Sequence, residues 1–362
     1  MKKAADVEWI GPAATDGAIA AINLDSARCA SWKRFRADPC RAGLAELILE
    51  QEHLAAQFLG DLDALGRMEI VADELARIDE SSGRTALVEA QVASAAHRFA
   101  DASRHLAHAR LRGAPHARVD RQMLSVDQAC GRQLNTVLEA RRSIAAASGR
   151  LEDLVPLGAV LADLHRFDEA DDIYRRAIVA YDDVSPFPLA WTCFQLGVLW
   201  SEIATDPDPN RATRWYQRAI EYLPRYVKAR VHLAEICAVD GRLADAEALL
   251  VPALLSGDPE VSWRLADVLV QQKRGDESAT HLCTARVRFE ELLARHPLAF
   301  ADHAAEFYAG SGGDHSRALD LARANLANRP TRRAAELASA IASSNDAAKT
   351  PCGVPFHAEV VV

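Results

Sequence analysis

Two histidines three residues apart, His105 and His108, share one helical face, and His97 lies close by in sequence. Imidazoles at that spacing could hold a metal ion. His97 falls in a turn, however, and His105 precedes a core position, so packing and surface roles account for both better. His296 and His303, with Glu306 one helical turn past His303, form a second set that straddles an element boundary. Neither set completes a metal site. No phosphate-cradling glycine loop, nucleophile elbow or HExxH sequence occurs, so no cofactor and no catalytic residue is expected. Gly310, Gly312 and Gly313 read as a turn that needs unusual φ angles. The seven cysteines (Cys29, Cys40, Cys130, Cys193, Cys237, Cys283 and Cys352) are odd in number and lack CxxC spacing. Reduced thiols and a cytoplasmic location are therefore expected. Met1-Lys2-Lys3 is followed by Ala4-Ala5-Asp6-Val7-Glu8 instead of an apolar core, so no export signal is read, and no apolar run is long enough to span a membrane.

Two other groupings could recognise a partner. Trp191, Phe194 and Trp200 share one helical stretch, and Trp215 with Tyr216 belongs to the next. Exposed aromatic side chains are frequent interface anchors, although such a set also serves ordinary packing. Charge is segregated along the chain. Residues 49–83 carry nine acids and two bases, 84–150 eleven arginines and five acids, and 151–184 nine acids and three bases. Solvated faces with weak ion pairs explain such blocks. A basic stripe for an acidic segment is the alternative. The overall charge of −9 disfavours a nucleic-acid partner.

These side chains need elements to carry them, and the elements repeat. His97-Arg98-Phe99-Ala100-Asp101-Ala102 returns as His165-Arg166-Phe167-Asp168-Glu169-Ala170, 68 residues on, or twice 34. A 34-residue frame set by that phrase starts units at 49, 83, 117 and 151. Small residues (Ala90, Gly158, Ala102, Ala170, Ala109, Ala177) then fall where two helices approach closely, and larger ones (Phe99, Phe167, Leu106, Tyr174) where a gap needs filling. The third unit is degenerate, with Gln133, Thr136 and Ser143 at normally apolar or small positions. Pro224, Pro259, Pro297 and Pro330 mark unit ends, where a helix stops.

Length, order and signature residues resemble the tetratricopeptide repeat (TPR) family. Leu196-Gly197, Trp200, Ala212, Tyr216, Ala219 and Pro224 follow its order, with about three extra residues near Asp206-Pro207-Asp208-Pro209. Leu233-Ala234, Gly241, Ala246 and Pro259 continue it, then Leu265-Ala266 and Ala279, then Gly313, Ala318, Ala322 and Pro330. The segments 184–191 and 296–303 also look like those of uncharacterised bacterial TPR proteins.

The resemblance implies an all-α fold, an α-α superhelix: a right-handed α-solenoid of TPR-type helix pairs. Stacked neighbours would hold it together without a central core. Residues 1–44 form an N-terminal arm with a possible helix from Asn23 to about Arg36. Residues 45–330 form about eight units, 331–344 a capping helix and 345–362 a loose tail. The resemblance further implies a non-catalytic scaffold that binds a protein or peptide on its concave face, possibly acidic with apolar anchors. A non-catalytic subunit or regulator of an enzyme complex, or a peptide-sensing regulator, is the alternative. In the family, positions 2, 5, 9 and 12 of each first helix tend to face the groove. They place Arg84, Arg118, Arg121, Trp191, Phe194, Phe300, His303 and Phe307 there. The family's Lys/Asn clamp for a terminal carboxylate is absent, since His53, Gln57, Leu87, Gln91 and Ser125 stand at matching sites.

Overall fold

The computed structural model describes residues 11–348. The outer part of the expected tail, residues 349–362, lies outside the described residues, as do residues 1–10. Eighteen α-helices follow one another, with no strand among the described residues. They are α1 (Gly17–Ala37), α2 (Leu44–Leu59), α3 (Ala64–Asp79), α4 (Gly83–Ala95), α5 (Phe99–Leu111), α6 (His116–Ala129), α7 (Leu134–Ser148), α8 (Leu151–Asp163) and α9 (Phe167–Val179). Then come α10 (Pro186–Val198), α11 (Pro209–Tyr222), α12 (Val227–Val239), α13 (Leu243–Leu250), α14 (Pro259–Gln271), α15 (Gly275–Arg295), α16 (Ala301–Ala309), α17 (His315–Asn328) and α18 (Arg332–Ala348). The fold is an all-α solenoid of TPR-like pairs. The N-terminal helix starts at Gly17, earlier than expected, because Asp16 Oδ1 accepts from the backbone N–H groups of Ala18 and Ile19.

The recurring His-Arg-Phe phrase is a helix stop. His97 and His165 take left-handed φ values of 55° and 58°. The next N–H then reaches back across the turn, from Arg98 to Ala93 O at 2.7 Å and from Arg166 to Leu161 O at 2.9 Å. Inside each pair a small residue faces a large one. A Cβ on Gly158 would stand 2.6 Å from the Tyr174 ring, and one on Gly197 would stand 2.4 Å from Tyr216. Ala102 and Ala170, the alanines that set the frame, are fully buried. The extra residues near Asp206 are absorbed by one π-helical turn, Leu199–Ile203, and a bend before α11, which Asp208 caps through Arg211 N at 2.9 Å.

The chain divides into two compact units. The first contains residues 11–22 and 135–225. Its paired helices are α8 with α9 and α10 with α11, packed around Tyr174, Leu196, Leu199 and Tyr216.

The second unit contains residues 23–134 and 226–348, two stretches far apart in sequence. Here contacts are not confined to sequence neighbours, which corrects the expectation of an array without a shared core. Phe35, Ile48 and Met68 belong to one apolar cluster with Phe289, Phe300 and Phe307. The seam between the two stretches follows the repeat. Gly60, after α2, abuts Ser256 and Val227 so closely that a Cβ would stand 2.8 Å from Ser256 Cβ. Asp63 meets Arg288 and Arg295, each at 3.1 Å. His97 O, after α4, accepts from Asn328 Nδ2 at 2.9 Å. Ala129 O, at the end of α6, accepts from Arg329 Nε at 3.3 Å. Turns within the early pairs thus dock on loops between the later pairs. The reason is that turn backbone groups left over from helix ends need partners, and the opposing loops supply them.

Candidate functional site

The most organised charged surface lies in the second unit, on the successive first helices α12, α14 and α16. Buried Tyr226 precedes α12, which projects Lys228 from its first turn. Asp258 caps α14, its Oδ1 accepting from Glu260 N at 3.0 Å, and Pro259 suits the first helical position. Glu260 therefore projects from that helix start. Asp302 Oδ1 accepts from His303 N at 3.0 Å in the first turn of α16.

The three helices bring their charges into a ladder. Lys228 Nζ donates to Glu260 Oε1 at 2.5 Å and stands 3.6 Å from Asp258 Oδ2. His303 Nδ1 lies 3.0 Å from Glu260 Oε1. Burial opposes the charge on His303, but Glu260 and Asp302 outweigh it and push its pKa up to about 9. Burial opposes charge on Lys228 as well, and Asp258 and Glu260 overcome it, raising that pKa. Glu260 is held well below the usual carboxylate range by His303 and Lys228 despite its burial. A cation in the first turn of α12 faces an unfavourable helix dipole, so the two acids also compensate for that. His303 remains 38% exposed and Lys228 25%, although three helices surround them. Charges so enclosed remain reachable from solvent.

Further along the same face, Arg264 lies on Trp263, its Cζ 3.6 Å from the ring centroid. Its Nε is 2.5 Å from Glu235 Oε1. Trp263 Nε1 donates to Ser311 Oγ at 3.3 Å, and Ser311 Oγ donates to Asp267 at 2.5 Å. Glu306 lies among Arg264, His303 and Arg333, and burial pushes its carboxyl up despite them. No group of three or more His, Cys, Asp or Glu among the described residues is arranged to hold a metal. An ammonium and an imidazolium that keep their protons are poor nucleophiles and poor bases. Fixed charges of this kind suit recognition.

Of the residues proposed for the groove, His303 is on this face. Phe300 and Phe307 are buried behind it: the Phe307 ring packs on Trp263 at 5.5 Å, Phe289 at 5.0 Å and Tyr308 at 5.0 Å. The 34-residue frame slips here. Ala305 is fully buried while Glu306, at the small-residue position, is half-buried, so Phe307 turns inward. Arg84 forms a two-pronged pair with Glu46 at 2.7 and 2.8 Å and also reaches Arg41 O. Arg118 adds to the field that lowers the Glu46 carboxyl, after Arg84 itself. Arg118 and Arg121 are exposed on α6. Trp191 and Phe194 belong to the first unit, where half-buried Trp191 stacks on buried Phe194 at 5.8 Å. Trp200 is core, donating to Asp171 at 2.9 Å beneath Arg211. The candidate metal histidines part company: His105 pairs with Glu89 at 3.1 Å, and buried His296 lies 3.8 Å from Glu69 at the seam. The sequence reading does not single out Lys228, Glu260 or Arg264. Lys228 and Glu260 both occupy position 2 of their units, a signal that the repeat frame carries.

The class that fold and face define is an all-α solenoid of TPR-like helix pairs. No protein-family model and no curated protein matches the chain. Among solved structures it is similar to the APC/C hetero-tetramer Cut9-Hcn1, with 14% identity, 73% of this chain covered and a TM-score of 0.49. This chain spans about half of that one, 50%. It is also similar to a tetratricopeptide repeat protein from Parabacteroides merdae, with 11% identity, 72% and 98% coverage and a TM-score of 0.41. A third is the C-terminal part of a TPR repeat-containing protein from Cytophaga hutchinsonii, with 12% identity, 81% and 97% coverage and a TM-score of 0.34. No helix among the described residues is long and apolar enough to cross a membrane.

Proposed function

We propose that the chain is a non-catalytic binding scaffold that takes a protein or peptide segment along the face formed by α12, α14 and α16. The observation that carries this reading is the ladder Lys228–Glu260–His303, whose charges are fixed by one another yet remain partly exposed. Paired charges cost less to desolvate than lone ones when a partner covers them, and they impose register on that partner. The stacked Trp191 and Phe194 offer a separate apolar shelf in the first unit. Arg84, Arg118 and Arg121 supply a basic edge whose first member is already neutralised by Glu46.

The test combines capture with mapping. The tagged chain is used to recover a partner, and hydrogen exchange is then measured with and without it. Protection is expected in α12, α14 and α16. Protection confined to other helices, or capture undiminished by Lys228→Glu combined with His303→Glu, would show that the face is structural.

A further inference from the structure

Nearly every charge on this face has an opposite charge at close range, and one does not. Among the described residues the Glu306 side chain makes no hydrogen bond and no ion pair. Charged groups face it from every neighbouring first helix: Arg264 and Glu260 from α14, His303 from α16 itself and Arg333 from α18. Two of the cations are committed elsewhere, Arg264 to Glu235 at 2.5 Å and His303 to Glu260 at 3.0 Å. Arg264 is further pinned on the Trp263 ring. Glu306 is therefore a carboxylate in a rigid, half-buried setting without a counter-ion at contact distance. Half-buried unpaired charge is costly: burial makes the carboxyl hold its proton more readily, and an arriving cation would offset that cost and favour the carboxylate.

We propose that Glu306 is the subsite for a single lysine or arginine side chain of the bound segment, within a stretch that is otherwise neutral or acidic. This inference rests on the binding face proposed above and specifies its ligand. The argument for one basic group only is electrostatic. His303, Arg264 and Arg333 lie around Glu306, so a second positive charge would meet repulsion, whereas flanking acids would meet attraction. A polyamine or a polybasic segment fails that test. The incoming ammonium or guanidinium donates to the Glu306 oxygens in a charge-assisted hydrogen bond, and no bond is made or broken covalently.

Two fluorescein-labelled heptapeptides test the subsite, one with a central lysine flanked by glutamates and one with norleucine in its place. The full chain should bind the lysine peptide about tenfold more tightly, a difference of about 1.4 kcal/mol. Glu306→Gln should abolish the preference. Asp276→Asn, which removes an exposed carboxylate on α15, should leave it intact. An unchanged preference in Glu306→Gln, an equal loss in Asp276→Asn, or no preference in the parent chain each overturns the proposal. Spermidine binding with the same dependence on Glu306 overturns the peptide assignment. If both peptides bind equally and protect α12, α14 and α16 from exchange, the subsite fails while the binding face stands. If neither peptide binds and a captured partner protects other helices, both readings fail.

Discussion

Two charged clusters in the second unit use the same chemistry to different ends. In the first, Glu52 accepts from Arg28 at 2.7 Å, from Trp32 Nε1 at 2.7 Å and from Arg67 at 2.9 Å. Asp61 accepts from the same two arginines at 2.7 and 2.6 Å. Burial works against the charge of Arg28, but its bonds to Glu52 and Asp61 raise its pKa overall. This cluster is closed, with each carboxylate engaged by both cations, and it fastens α1 to α2 and α3. The ladder on α12, α14 and α16 is open: His303 stays accessible and Glu306 lacks a partner among the described residues. The closed cluster secures a helix against its own chain. The open one keeps charge in reserve on a reachable surface.

The comparison breaks first at Glu52, only 1% exposed. Glu52→Ala leaves Arg28 and Arg67 to Asp61 alone and strands the Trp32 indole donor, and should cost about 3 kcal/mol in urea unfolding. A loss below about 1 kcal/mol would make the two clusters equivalent. Packing provides the yardstick between them. Ala102→Leu and Ala170→Leu, at helix crossings away from both clusters, should each cost about 1–3 kcal/mol in the same assay.

Histidine titration sharpens the contrast next. The folded-state pKa of His303 is raised from 6.5 to about 9, so its stabilisation is complete below 6.5 and is lost as pH climbs towards 9. His97, at the seam, is pushed the other way: burial, and then Arg329, hold it down at about 4. Its unfolded form binds a proton more readily, so stability is lost as pH falls from 6.5 towards 4. Melting temperature should therefore peak near pH 6.5. His303→Gln should flatten the alkaline limb and His97→Asn the acid limb. The smallest effect belongs to Glu306. Its raised pKa means that ionisation at neutral pH disfavours the fold, so Glu306→Gln should leave stability unchanged or raise it by about 0.5 kcal/mol. A clear loss in thermal unfolding would show that Glu306 is structurally bonded.

The site was partly legible before any coordinates. His303 was named from its groove position, and Glu306 was noted one turn beyond it. Phe307 was misplaced because a one-residue slip in the last unit turned it into the ring cluster with Trp263 and Phe289. The one trace of that slip in the sequence is Glu306 at the small-residue position, with Ala305 just before it. Lys228 and Glu260 share one frame position in successive units, but the salt bridge that joins them comes from the packing of α12 beside α14 and has no local signature.

The helices, their stops and their pairing were determined by the sequence alone. Those features depend on short-range physics: left-handed turns at His97 and His165, proline and aspartate at helix starts, and a glycine wherever a tyrosine needs room. Tertiary structure alone decided that residues 23–134 and 226–348 share one core and one seam. Gly60 against Ser256, or Asn328 against His97, joins groups some two hundred residues apart. Periodicity records which face of a helix is apolar; it does not record which distant surface will cover that face.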